Sequence, residues 1–246
     1  MEIVSLHLRI GRGNDSEREA WVRARLSEIP PNSRLLDIGA GELRFKPACA
    51  HLRYVSQDFG RYDGTGDGQG LQTGSFDQSG IDLVCDAMEI PEPDGSFNAI
   101  LCTEVIEHLA DPIGALREMA RLLRPAGTLI LTAPFVSFTH FSPYHFHTGF
   151  SRYWYEHWLP RQGFRILRLE PQAQDGFFDF MAQEIGRIPD VWQRYGRVGA
   201  RGRAFVGIAL KAFVVPARVL LAVLHRWSRP STDFCTYRWC CVAERI

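Results

Sequence analysis

The chain has 246 residues, 46% of them hydrophobic and 23% charged, with 28 Lys and Arg against 28 Asp and Glu. That length suits one large domain or a domain with an appendage, and the composition excludes a disordered, fibrous or collagen-like protein. Formal neutrality excludes a wholesale polyanion binder, but the charge is uneven: residues 191–232 hold eight basic side chains and no acidic one, leaving the remainder with a net of −8.

In chain order, the first residues lack the basic start, long apolar run and small-residue cleavage site of a secretory leader, so none is expected. Asp15-Ser16 followed by Glu19 reads as a capping box. Trp21, Val22, Leu26 and Ile29 then share one helical face until Pro30-Pro31 stops the helix. Short β-branched or apolar runs predict strands over 34–38, 54–57, 81–85, 98–103, 128–133, 164–169 and 234–243. Alternating with helical patterns, these seven imply an α/β fold: a mainly parallel sheet with helices on both faces. Seven glycines among residues 60–80 make a long loop after the second strand, either a mobile surface loop or a rim around a ligand. A helix starts at Asp111-Pro112, with Ile113, Leu116, Met119, Ala120 and Leu123 at helical spacing, and Pro125-Ala126-Gly127 turns the chain into the fifth strand.

More than sixty residues separate the sixth strand from the last, which predicts an α-helical cap inserted before the last strand. The domain boundaries follow: an N-terminal helical segment over 1–33, the core over 34–170, a basic amphipathic helical insertion over 171–232, and the last core strand over 233–246. Within the insertion, Phe205, Ile208, Ala212, Phe213, Leu220, Val223 and Leu224 fall near helical spacing, while Lys211 and Arg218, seven apart, share a polar stripe. Residues 205–224 are apolar enough to test for membrane spanning. Lys211 and Arg218, each costing roughly 2.5–3.5 kcal/mol at a bilayer centre, and Pro216 argue against it and leave a surface-lying helix. Six cysteines form no CxxC pair, which fits a reduced, cytoplasmic compartment with the 191–232 segment available for peripheral contact with an anionic membrane.

Chemistry concentrates where the first strand ends. Asp37-Ile38-Gly39-Ala40-Gly41 puts a glycine turn directly after it, letting backbone approach a ligand with no Cβ between. Asp58 ends the second strand, where a carboxylate accepts hydrogen bonds from ribose hydroxyls, so the pair describes a nucleoside site. A dinucleotide fingerprint needs a glycine at position 44, where Arg44 stands, and no phosphate-cradling GxxxxGK[ST] occurs.

With these residues in view the chain resembles the Rossmann-like, class I S-adenosylmethionine-dependent methyltransferases. Asp37 through Gly41 is similar to their first motif, Asp58 to the ribose acid, and Cys85-Asp86-Ala87-Met88 with Ile90-Pro91 to the adenine-contacting segment. Residues 95–109 and 122–129 are similar to the later motifs, and the resemblance runs over 35–169. It departs at Leu43, where many members have a third glycine. The resemblance implies S-adenosylmethionine as cofactor, with Asp37 orienting its methionine end, Gly39 and Gly41 giving backbone approach, Asp58 the ribose, Asp86 and Ala87 the adenine, and Thr103 the place of methyl delivery.

An oxygen nucleophile with a pKa well above 7 benefits from a general base. His108, His140, His145 and His147 lie at or just after the carboxyl ends of strands four and five, the ligand side of an open α/β sheet, and the base is assigned to His140 or His145. The segment from Pro143 to Tyr153 resembles one in bacterial methyltransferases associated with cell-surface sugar assembly, although those more usually have Asp where His145 stands. This implies a small-molecule or lipid-linked sugar, a glycolipid precursor or another hydroxylated metabolite as acceptor. Trp154, Tyr155 and Trp158 are either a stacking platform or, at helical spacing, core.

Two other readings stay open. A helix starting near Glu104 would put Glu104, Glu107 and His108 on one face around a divalent metal. The spelling resembles that of metal-dependent O-methyltransferases of quinone biosynthesis and of small-RNA 3′ ends, the latter with a further histidine that His145 or His147 would supply. That reading makes the chain a metal-assisted RNA ribose 2′-O-methyltransferase; relatives expected to bind no metal share the spelling, and the acidic body speaks against nucleic acid. The other is a non-catalytic binding protein that keeps the fold, against which intact Gly39, Gly41, Asp58 and Asp86 speak.

Overall fold

Residues 10–172 and 176–246 are described by the computed structural model; the leader reading falls on residues 1–9, outside them. In chain order the elements are α1 (Asn14–Ser27), β1 (Arg34–Ile38), β2 (Arg53–Asp58), β3 (Leu83–Val84), β4 (Phe97–Thr103), α2 (Pro112–Leu122), β5 (Leu123–Pro134), α3 (Arg152–Arg161), β6 (Phe164–Pro171), α4 (Phe177–Tyr195), α5 (Ala200–Trp227) and β7 (Arg238–Arg245). The seven strands form one sheet in the order β3-β2-β1-β4-β5-β7-β6. β1 pairs in parallel with both β2 and β4, and β4 with β5, while β7 runs antiparallel to β5. The expected mainly parallel sheet is therefore present. From β1 the chain winds outward through β2 and β3 on one side and β4 and β5 on the other, so the strand order reverses beside β1. Ligands bind outside the carboxyl ends at such a point.

Alternation along the strands divides the interior in two. Leu36, Ile38, Ile100, Cys102, Leu129 and Leu131 point to one face and pack with Leu116 and Met119 of α2 and Tyr155 and Leu159 of α3. Leu35, Ala99, Leu101 and Ile130 point to the other and pack with Val22 and Leu26 of α1 and with Cys49. Tyr155 is thus core, with Trp154 and Trp158 packed against the same cluster.

Four local expectations are corrected. Ser16 lies inside α1 and donates its hydroxyl to the Gly13 carbonyl at 3.2 Å, so it is not the N-cap. β3 is two residues long because side chains replace its ladder: the buried Ser56 donates its backbone N–H and its hydroxyl to Asp82 Oδ2 at 2.8 and 2.7 Å. The turn expected at Pro125-Ala126-Gly127 is an irregularity inside a longer β5, with Ala126 at φ +60°. The last strand begins at Arg238, because Phe234 and Cys235 are held in a turn through backbone bonds to the Ser231 carbonyl.

The chain separates into two compact units. One consists of Glu19–Glu170 with Arg238–Ile246 and carries the sheet; the other joins the described residues up to Arg18 to Pro171–Tyr237. In the second, α4 packs on α5, Gly11 donates to Asp179 Oδ1 at 2.8 Å and the Tyr237 hydroxyl donates to the Asp179 carbonyl at 2.9 Å. Its buried apolar cluster among the described residues is small: Ile10, Ala182 and Ala222. Lys211 and Arg218 do share a stripe, but it is the stripe of buried Gly207, Val214 and Ala222, and the Arg218 guanidinium donates to the Ile10 carbonyl. The apolar residues of α5 face outward instead.

Asp82→Ala strands the buried Ser56 N–H and hydroxyl, so it is expected to cost about 1–3 kcal/mol. Urea unfolding of the two proteins measures it.

Candidate functional site

Beyond β1 the backbone turns back at once. Ala40 N–H donates to the Gln57 carbonyl at 2.9 Å, and Gly39 and Gly41 take φ +67° and +52°. A Cβ on Gly39 would collide with the Val105 side chain, and one on Gly41 would lie 2.8 Å from the Phe76 ring. Leu43, where the third glycine is missing, adopts φ +59° all the same. The loop keeps its shape and carries the strain of a left-handed leucine, about 1–2 kcal/mol.

Asp58 is buried at the end of β2. Its Oδ2 accepts from Gly41 N–H at 3.1 Å, and its Oδ1 accepts from Gly60 N–H at 3.1 Å and from the Gln78 amide at 2.6 Å. A cleft of about 260 Å³ opens above, walled by Gly39, Asp58, Asp86, Ala87, Met88, Glu104 and His108 among others. Of the residues expected to hold a cofactor, Gly39, Asp58, Asp86 and Ala87 are in its wall. Gly41 sits beneath Phe76, and Thr103 is the last residue of β4. Asp37 alternates with Leu36 and Ile38, so it faces the α1 side of the sheet, where the Tyr54 hydroxyl donates to it at 2.6 Å. Burial, opposed by that hydrogen bond, pushes the Asp37 carboxyl up to about 7.

The expected helix at Glu104 is absent. Glu104 itself has φ +54°, and only a single 3-10 turn, Ile106–His108, follows. Helical spacing therefore does not bring Glu104 to Glu107 and His108. Its carboxylate instead accepts from the Thr132 hydroxyl at 2.9 Å and pairs with Arg238, 3.2 Å away. Among the described residues, the ligand atoms that do come within 4.8 Å of one another belong to Glu107, His108 and His140. Sequence reasoning does not single out Arg238, because its role comes from a long-range pair with Glu104 and nothing local marks it.

Three imidazoles cluster here: His108 is in the cleft wall, while His140 and His145, the two candidate bases, pack against it without being in that wall. The rings of His108 and His140 are 4.7 Å apart, as are those of His140 and His145. Carbonyls only accept, so the Nδ1 atoms 2.8 Å from the Tyr144 carbonyl in His108 and 2.9 Å from the Phe138 carbonyl in His140 carry the proton. In the neutral tautomer of each ring the lone pair is then on Nε2. Ser137 donates its hydroxyl to the Thr148 carbonyl at 3.0 Å, so His145 donates from Nε2 to Ser137 at 3.1 Å and keeps its lone pair on Nδ1, the nitrogen nearer its own backbone. Burial first, and then His140, hold His108 down to about 3. The same causes, with His147, lower His145. His147 is tied by its N–H to the Glu107 carbonyl at 3.1 Å, which locks this loop to the turn after β4.

The glycine-rich loop is a rim. Leu71 N–H donates to the Thr139 carbonyl at 2.9 Å, Ser142 donates its hydroxyl to Asp67 at 2.6 Å, and the Tyr62 and Phe141 rings stack at 4.5 Å. Tyr62, Phe76 and Phe141 thereby form an aromatic wall of the cleft. Its charged lining comprises the carboxylates of Asp58, Asp86 and Glu104 and one guanidinium, that of Arg61. Such a site suits a ligand with hydroxyl donors and positive charge, not a polyphosphate.

Residues 15–170, more than half of the chain, match the family described as "Methyltransferase domain". The human protein "Probable tRNA methyltransferase 9B" is 31% identical over 124 residues, covering 48% of this chain and 25% of that protein. "Ubiquinone biosynthesis O-methyltransferase" of Xanthomonas campestris pv. campestris is 49% identical over 41 residues, 17% of each chain. The chain therefore spans a quarter or less of the length of these curated relatives. Among solved structures, geranyl diphosphate methyltransferase in complex with SAM aligns with TM-score 0.53 at 12% identity, over 95% of this chain and 85% of that one. The cyclase SpnF aligns with TM-score 0.54 at 16% identity, over 93% and 80%. At these identities the likeness is one of fold, and it extends to a protein named for a different reaction.

Leu43→Gly is expected to fall within about 1 kcal/mol of wild type, because relief of left-handed strain offsets the lost leucine packing. Gly39→Ala, which gains strain and strikes Val105, is expected to lose at least about 1–2 kcal/mol in the same urea titration.

Proposed function

We propose that this chain, which belongs to the methyltransferase-domain family, is an S-adenosylmethionine-dependent methyltransferase that acts on a hydroxyl oxygen of a sugar, glycolipid precursor or other small hydroxylated metabolite. The donor set fits that cofactor: a buried carboxylate at the β2 end for a ribose diol, a glycine turn admitting close backbone approach, and an acidic lining for a cationic ligand. When bound, the cofactor supplies a methyl group already activated on a sulfonium, so the protein's task is alignment and proton removal.

In this reading Asp58 holds the ribose, with Gln78 giving up its hydrogen bond to make room. Asp86 and Ala87, beside Met88, hold the adenine, Gly39 and Gly41 let the backbone close in, and Thr103 marks the reacting end of β4. Asp37 acts through the turn on the methionine end. His140 takes the acceptor's hydroxyl proton at Nε2, and His108 and His145 keep its surroundings neutral.

The observation that carries an oxygen acceptor is this group of three imidazoles with fixed tautomers beside an acidic cleft. An alcohol needs its proton removed as the bond forms, whereas an amine already offers a lone pair. The 41-residue likeness to an O-methyltransferase and the resemblance of the 143–153 segment to sugar-assembly enzymes support the same choice. An RNA acceptor is supported less, since the carboxylates around the cleft would repel phosphates. Six free thiols support a reducing, cytoplasmic setting.

His140→Gln is expected to lower kcat about 10²- to 10⁴-fold with KM for the cofactor little changed, and His145→Gln to lower it far less. Methyl transfer to a panel of hydroxylated acceptors, followed as S-adenosylhomocysteine formation, decides between them; equal losses would remove His140 as the base. The reaction proposed here uses no metal, so a chelator is expected to leave the rate unchanged, and a loss restored by a divalent cation would assign Glu107, His108 and His140 to a metal.

The raised Asp37 carboxyl adds a pH signature. Its proton, retained in the free protein below about pH 7, is released when a cationic ligand favours the ionised form, so affinity should rise with pH between 6 and 8. Calorimetry in two buffers of different ionisation enthalpy is expected to show net proton release near pH 7, and Asp37→Asn to abolish it.

A further inference from the structure

The second unit carries a helix whose apolar side faces out. α5 is the one helix among the described residues long and apolar enough to cross a membrane, yet only 17% of its most apolar stretch is buried. Its packed side is a narrow stripe of Gly207, Val214 and Ala222. Around the rest, Phe205 is 75% exposed, Ile208 70%, Phe213 60%, Leu220 59% and Trp227 84%. A soluble helix places such residues inward, and contiguous exposed patches of this kind mark an interaction surface.

Chain topology rules out spanning. β6 and β7 are neighbours in one sheet, and the path between them is α4 and then α5. A chain that crosses a bilayer through α5 must cross it a second time to return to the same sheet. α4 cannot make that crossing: in 19 residues it carries Asp179, Glu184, Arg187, Asp190 and Arg194. α5 is left to lie along a surface.

The charge names the surface. The eight basic and no acidic residues of 191–232 include Arg201, Lys211 and Arg226, all exposed on α5. A second copy would bring the same eight cations against these, whereas an anionic bilayer offers the opposite charge and an apolar interior. Aromatic Trp227 near the helix end suits the headgroup boundary. We infer that α5 docks this protein on an anionic lipid bilayer, lying in the interface plane with Phe205, Ile208, Phe213 and Leu220 inserted among the acyl chains.

The inference does not depend on methyl transfer, and its test uses none. The full chain is sedimented with vesicles of phosphatidylcholine alone and of phosphatidylcholine with one quarter phosphatidylglycerol. Wild type is expected to pellet with the anionic vesicles, less so with rising salt, and at least tenfold less with the neutral ones. A Phe205→Ser/Ile208→Ser/Phe213→Ser/Leu220→Ser variant, whose substitutions all lie on the exposed side, is expected to stay in the supernatant with unchanged circular dichroism. An Arg201→Gln/Lys211→Gln/Arg226→Gln variant is expected to lose the preference for anionic lipid. Wild type remaining in the supernatant, or partitioning equal to that of the serine variant, would overturn the inference. A wild-type dimer in light scattering that becomes monomeric in the serine variant, without vesicle binding, would give the face to a second copy and overturn it equally.

Discussion

The carboxylate of Asp58 joins the parts of the cleft that come from different stretches of chain. One oxygen holds the N–H of Gly41, at the end of the glycine turn after β1, and the other holds Gly60 and the amide of Gln78, at the two ends of the glycine-rich loop. A buried charge is tolerable only when such donors surround it. The same arrangement fixes three things together: the left-handed turn beside β1, the root of the aromatic rim, and the acidic floor that favours a cationic ligand with hydroxyls. The donor from Gln78 is a side-chain amide on the loop, the most readily exchanged of the three.

Most of the sheet was legible because it rests on local rules. Alternation in Leu35-Leu36-Asp37-Ile38 and in Ala99-Ile100-Leu101-Cys102 sorts side chains to two faces, and Asp111 caps α2 through its bond to Gly114 N–H as its position before Pro112 implies. Two of the failures, at β3 and at Glu104, depend on long-range partners. Ser56 and Asp82 satisfy each other, which shortens β3, and no pattern within either segment says so. Glu104 was misplaced for a related reason: the run Glu104-Val105-Ile106-Glu107-His108 has helical spelling, but Thr132 and Arg238 hold the glutamate and its φ is positive. Leu43 shows the reverse case, where a residue that disfavours a left-handed φ adopts it because the flanking bonds require it.

The same distinction explains the second unit. Periodicity showed that α5 has unlike faces but not which one is covered. Packing of Gly207, Val214 and Ala222 uses the small side chains, and it takes Arg218 inward with them while Lys211, on the same stripe, stays exposed. Among the described residues its apolar cluster is small, and the outward residues of α5 represent exposed hydrophobic surface. Two sites with different chemistry result: an acidic cleft in one unit, formed at the sheet's switch point, and a basic, apolar helix in the other.

Calorimetric titration of the full chain with S-adenosylmethionine, alongside Asp58→Ala and Asp58→Asn, tests the central claim most directly. Micromolar binding by wild type, lost at least tenfold in Asp58→Ala and weakened in Asp58→Asn while both variants keep a cooperative thermal transition, is the result this account predicts. Equal affinity in wild type and a folded Asp58→Ala protein would contradict it, because the cofactor would then be held without the carboxylate around which the cleft is built.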